Sequence, residues 1–213
     1  MTIEGYLQKY DGETLTIVAP FTNSHLLQKQ GITDCEIRLN DGRSISADQR
    51  KKIYATFKDI SLWTGHVPDE IKAIMKYEFI ARTGTEYFSL SDVDMTTARE
   101  FLEFLIDFCL EHDIPTSDKL LERSPDIARY IYMCLKHKKC CITGKKAELH
   151  HVDAVGMGRN RKDIIHKGMR VLPLTSTLHR ESHDIGQKSF AEKYHVFGIK
   201  LDDELCKVWR VKH

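Results

Sequence analysis

Four histidines carry the chemistry this sequence advertises. "LHHVDAVGMGRNR" (Leu149 to Arg161) holds an adjacent pair, His150 and His151, before a glycine- and arginine-containing stretch. "LPLTSTLHRESH" (Leu172 to His183) closes on His179 and His183. Residues four apart share one helix face, so these two imidazoles can grip one cation. The metalloprotease version of that grip needs Glu directly after the first histidine, and Arg180 stands there, so a peptidase reading fails. A zinc finger fails on spacing, because Cys140 and Cys141 are adjacent. For the His179 and His183 pair alone, two surface or capped histidines are the bland reading. One chemistry that a larger imidazole group could serve is phosphodiester hydrolysis, which needs an activated water and a group that absorbs charge on the phosphate. One cation held by His150, His179 and His183 would serve the second need. His151, on the opposite side of an extended strand, would take the proton from water, since imidazole titrates at about 6.5. Arg159, Arg161 and Lys162 lie on the intervening loop, where they could grip phosphates. For His166 the bland reading, a structural histidine, stands ahead of a role at the site.

These groups must be positioned by an ordered run of elements. "CCITGKKAELHHV" reads as two short strands around a Thr-Gly-Lys-Lys turn, and "MRVLPLT" as a further extended piece. Ser176 or Thr177 would cap the histidine helix, and Gly186 would stop it. Upstream, "SPD" (Ser124 to Asp126) reads as N-cap, first-turn proline and first-turn acid of the helix "IARYIYMCLKHKK". The stretch Asp113 to Asp126 is the expected connection between two domains, 1–123 and 124–213. The first 45 residues read as strands, with an Asp-Gly turn in "GYLQKYDGETLTIVAP" and another in "CEIRLNDGRSIS". Helices follow: one capped by Ser46 with Ile53, Phe57 and Ile60 as its core face, one opened by Pro68, and "DMTTAREFLEFLIDFCLEH" ending near His112. The fold class is α+β: a strand-rich start, then helices, then a small C-terminal strand-and-helix unit.

Charge separates the two halves. Residues 1–126 carry 14 Lys and Arg against 22 Asp and Glu, whereas residues 127–213 carry 18 against 9. A basic half suggests a polyanion partner, nucleic acid. No apolar run approaches the roughly 20 residues that span a bilayer, so no membrane association is expected. The N-terminus lacks a signal-peptide pattern. Six cysteines without disulfide rhythm then read as reduced thiols of an intracellular protein.

The order of hairpin, His-His, loop, strand and HxxxH helix over Cys140 to Gly186 resembles the HNH endonuclease family, with its ββα-metal fold. The resemblance implies His150 as metal ligand, His151 as general base, and His179 with His183 as the closing ligands. The family's middle Asn, which anchors the loop and orients the base, falls on Arg170. Thr143 stands where a structural zinc would need a second cysteine, so no zinc knuckle is expected. The ligand set implies one divalent ion (Zn, Ni, Mn or Mg), and imidazole nitrogens favour a transition metal.

"SADQRKKIYATFKDISLW" with the later amphipathic helix, about Ser44 to Pro115, resembles the lambda NinB (Orf) family of phage recombination proteins. That resemblance implies single-stranded DNA binding, a homodimer, recombination-protein partners and the cytoplasm of a host bacterium. Arg50, Lys51 and Lys52, beside Tyr54, are the candidate contacts to single strands. The leading expectation is a phage-type DNA-processing protein with an HNH nuclease module. Its rivals are a non-catalytic single-strand-binding mediator with a degenerate HNH module, left open by Arg170, and a structural zinc module.

Overall fold

A computed structural model describes residues 5–22, 42–153 and 165–212, with the single positions 25, 29, 31 and 37. The chain is α+β. It opens with an antiparallel hairpin, β1 (Tyr6–Tyr10) and β2 (Leu15–Val18). The Asp11 carboxylate ties the turn by accepting from the Thr14 hydroxyl and from the backbone N–H groups of Glu13 and Thr14. Half of the second expected hairpin, Cys35 to Ser46, lies outside the described residues; Ser44 bridges to Asp94.

Three helices build the N-terminal core. In α1 (Ala47–Thr64), the Ser46 hydroxyl accepts from Gln49 N–H while the Gln49 side chain accepts from Ser46 N–H. This capping box satisfies two of the donors a helix start leaves open. Helix α2 (Pro68–Thr83) starts on the expected proline, and α3 (Met95–Glu111) is capped by Asp94. Ile53, Phe57 and Ile60 are all buried. Phe101 centres an aromatic cluster, with ring centroids 5.2 Å from Phe79, 5.3 Å from Phe88 and 5.9 Å from Phe57. Each fully buried ring contributes about 1.5–3 kcal/mol of hydrophobic stabilisation.

The connecting stretch is packed rather than loose. It contains a short helix, α4 (Leu120–Arg123), whose last residue is buried against α1. The next helix, α5 (Ile127–Lys136), begins two residues later than the sequence suggests. Asp126 is the N-cap, accepting from Arg129 N–H, while the Ser124 hydroxyl donates to Asp126 C=O. Two cap-forming residues compete here, and the one whose carbonyl accepts the first helical bond, from Tyr130 N–H, wins. Tyr130, Ile131, Cys134 and Leu135 carry the core from α3 across α5 into the C-terminal sheet.

That sheet has the antiparallel order β3 (Glu148–His151), β4 (Arg170–Leu174), β5 (Ile199–Lys200). The hairpin expected around Thr-Gly-Lys-Lys shrinks to one bridge, Lys139 to Lys146. Cys140 N–H does close the turn onto Lys145 C=O, but Cys141 N–H reaches Pro173 C=O on β4. The partner of β3 is therefore β4, not the preceding segment. Cys140 and Cys141 are core residues, fully buried. Helices α6 (Ser176–Ile185), α7 (Gln187–Tyr194) and α8 (Asp203–Trp209) complete the half. The cap of α6 is Thr175, whose hydroxyl accepts from Leu178 N–H, rather than Ser176 or Thr177; Gly186 ends the helix as expected. Among the described residues, no helix is long and apolar enough to cross a membrane.

Candidate metal centre

Strand β3 sends its two histidines to opposite faces, as the period of two requires. His150, opposite Leu172 in the ladder, is completely buried, while His151, opposite Val171, is half-buried. Helix α6 packs on β3 and brings His179 and His183 to His150. Ring centroids are 4.6 Å apart for His150 and His179, and 5.1 Å for each of the other two pairs. One ligand atom from each imidazole lies within 4.8 Å of the others.

The chemistry of this donor set fits a cation. Burial pulls the His150 imidazole down to about 4; repulsion from His179 and His183 adds to this, and a Gln187 hydrogen bond opposes it. At neutral pH His150 is thus uncharged, the form that coordinates a metal. Its Nε2 lies 2.6 Å from Gln187 Nε2 and 3.4 Å from Ser182 Oγ. Its Nδ1 is buried without a hydrogen-bond partner, a loss of about 1–3 kcal/mol that a ligand would remove. The nitrogen and oxygen of a Gln amide are interchangeable by a half-turn, and with the oxygen turned to His150 the imidazole donates from Nε2 and keeps a bare lone pair on Nδ1. His179 Nδ1 sits 3.3 Å from Glu148 Oε2, which leaves its other nitrogen free in the same way. A carboxylate or amide behind a ligating histidine is the usual means of fixing its tautomer and orientation.

His151 has a different neighbour. Its Nε2 lies 2.8 Å from Nδ1 of His166. Burial, then repulsion from His166 and His179, holds its pKa below the ordinary histidine value, and Asp153 opposes the shift. Arg170 touches neither histidine among the contacts described. Its backbone N–H and guanidinium both bind Asp153, at 2.6, 2.7 and 2.9 Å, and its carbonyl accepts from Val152 N–H. Arg170, at the position of the family's middle Asn, thus clamps the turn just beyond His151. Guanidinium and carboxylate bond strongly because both are charged and their geometries match.

Residues 20–212 match a protein family described as "Putative HNHc nuclease". The chain belongs to this family. No curated protein and no solved structure matches it. The HNHc match begins ahead of α1 and runs through α8, so the helical half falls within the family's extent together with the histidine segment.

The remaining expected contacts divide. Arg159, Arg161 and Lys162 lie outside the described residues. Arg50, Lys51 and Lys52 sit on α1, which packs on α2 and α3. Arg50 donates to Ser91 C=O and Lys52 pairs with Asp48 at 2.8 Å, while Lys51 is exposed. Sequence reasoning passed over Glu148, Gln187 and Asp153 and discounted His166. Only Glu148 carried a signal, its place two residues before His150 on the same strand face.

Proposed function

We propose that this HNHc-family chain is an endonuclease that hydrolyses phosphodiester bonds of nucleic acid with one divalent metal ion. The observation that carries the reading is the group His150, His179 and His183, whose buried member keeps an unpartnered nitrogen. A cation held there would act as a Lewis acid, absorbing charge on the phosphate and on the leaving oxygen. His151 takes the proton from the attacking water as its oxygen bonds to phosphorus and the P–O ester bond breaks. Arg159, Arg161 and Lys162 are the candidate phosphate contacts. Three nitrogen ligands favour Mn, Ni, Co or Zn over Mg. The test is incubation of plasmid and single-stranded circles with each metal, beside calorimetry of metal binding. Cleavage with Mn or Ni at least equal to Mg, lost in His179→Ala together with metal affinity, supports the reading. Tight metal binding that persists in His150→Ala and His179→Ala overturns it.

A second reading is favoured by Arg170, which engages Asp153 where the family's Asn would steady the base. In it the chain is a phage recombination mediator that binds single-stranded DNA as a homodimer without cutting it. Arg50, Lys51 and Lys52 would then supply the contacts, and their joint replacement by alanine should weaken single-strand binding and flatten its salt dependence. Cleavage of either substrate by the parent protein removes this alternative.

A further inference from the structure

The contact between His151 and His166 plays no part in holding the metal. Two ring nitrogens 2.8 Å apart can bond only if one carries hydrogen and the other does not. If His166 donates from Nδ1, His151 must carry its own hydrogen on Nδ1 and has no free lone pair. If His151 donates from Nε2, its Nδ1 is bare. Only the second arrangement leaves His151 able to accept a proton.

We propose that His166 is a positioning residue: its Nδ1 accepts the Nε2–H of His151, fixing the tautomer and ring so that Nδ1 of His151 is the basic atom. This rests on the nuclease reading above. During the reaction water loses a proton to Nδ1 of His151, the remaining hydroxide oxygen bonds to phosphorus, and the ester oxygen leaves. His166 keeps accepting from Nε2–H throughout, so the imidazolium formed stays held in place.

The backbone around His166 is built to hold such a partner still. Its N–H donates to Lys212 C=O at 2.9 Å, and its C=O accepts from Met169 N–H at 3.0 Å. Gly168, at φ 82°, makes the tight turn and donates to Leu201 C=O at 2.8 Å, while Leu201 N–H returns to Met169 C=O. Lys167 pairs with Asp203 on α8 at 2.7 Å. The backbone that carries the imidazole is thus fastened to Leu201, to Lys212 and, through Lys167, to α8. Arg170 cannot supply this function while its guanidinium holds Asp153.

The experiment uses full-length chain with nitrogen-15-labelled histidine, metal-free and zinc-loaded, at mildly alkaline pH. Long-range proton–nitrogen spectra report which nitrogen of each neutral imidazole bears hydrogen. The expected result is His151 protonated on Nε2 alone in the parent, a mixture of tautomers in His166→Phe, and partial return of the single form in His166→Gln, whose amide oxygen can accept. In parallel, His166→Phe should lower kcat by roughly 10- to 100-fold, a part of what general-base catalysis supplies. KM and the calorimetric zinc affinity should stay unchanged, and His166→Gln should recover part of the rate. Hydrogen on Nδ1 of His151 in the parent overturns the proposal, as does His166→Phe with an unaltered tautomer and rate. A parent that cleaves nothing with any metal defeats the nuclease reading instead, while its spectrum still decides whether His166 sets the tautomer.

Discussion

Arg123 and His150 are equally hidden from water, at 1% and 0% exposure, and the protein treats them in opposite ways. Around Arg123 the guanidinium is surrounded: Nη1 donates to Thr56 Oγ1 at 2.9 Å, Nη2 to Asp59 at 2.5 Å and to Ser117 Oγ at 3.0 Å, and Asp118 takes Nε. His150 has one nitrogen engaged and the other left with nothing. A buried polar group with every nitrogen engaged is a strut, here tying α4 to α1. A buried imidazole left half-satisfied is a place kept for something else. Burial alone does not separate structure from function; the state of the hydrogen bonds does.

The largest effect expected from this contrast is on folding. Arg123→Ala leaves Asp59 buried with its counter-charge gone, a loss of about 3–5 kcal/mol. Urea unfolding would measure it, and calorimetry on whatever remains folded should find metal affinity untouched. A loss below about 1 kcal/mol would mean that Asp59 finds water and that Arg123 is not the strut described.

His150→Leu should do the reverse. Metal affinity should fall by more than the roughly 10- to 100-fold that loss of an outer partner produces. Stability of the metal-free protein should stay within about 1 kcal/mol of the parent, because the side chain removed was only partly satisfied and Gln187 can turn to water. Thermal unfolding with and without added zinc reads both. In the parent, zinc at a hundred times its Kd adds about 2.7 kcal/mol, and His150→Leu should lose that increment. Strong destabilisation of the metal-free variant would make His150 a second strut.

The same contrast explains which parts of the molecule were legible in the sequence. Helices α1 to α3 announced themselves through Ile53, Phe57 and Ile60, through Ser46 and through Pro68, because periodicity and capping are local. His150, His179 and His183 were legible for a related reason: strand alternation and the i, i+4 relation fix the direction in which side chains point. What failed depended on choices between neighbours. Asp126 displaced Ser124, and Thr175 displaced Ser176 and Thr177, since several polar residues in a row can all cap. The Thr-Gly-Lys-Lys hairpin shrank to one bridge because β4 competes for its first arm, with Cys141 N–H bonded to Pro173 C=O, 32 residues along the chain. Gln187, Asp153 and the closeness of His166 to His151 are tertiary facts with no local pattern behind them.

Those tertiary partners give the next expected effect. Gln187→Leu and Glu148→Ala should each weaken metal binding by roughly 10- to 100-fold. They remove the side chains that contact His150 and His179 from behind and hold their orientation, and neither should change stability as Arg123→Ala does. Titration calorimetry on the two variants and their combination tests this. A double variant no weaker than either single one would mean that the two histidines are oriented by packing alone.

The smallest effect compares two caps of the same kind. Ser46 and Thr175 each accept one backbone N–H at a helix start, at 3.1 and 3.4 Å. Alanine at either should cost about 0.5–2 kcal/mol of stability, so urea unfolding alone will not tell them apart. The helices they start do different things. Helix α1 buries Ile53, Phe57 and Ile60 and carries none of the three clustered histidines, so Ser46→Ala should leave metal affinity at the parent value. Helix α6 is short, exposes much of its surface, and carries both His179 and His183, so fraying of its first turn moves a ligand. Thr175→Ala should therefore weaken zinc binding several-fold at the same stability loss. If the two variants bind zinc equally well, α6 is held by its packing on β3 and β4 rather than by its cap. The histidine pair would then be as rigidly placed as the core of the helical half.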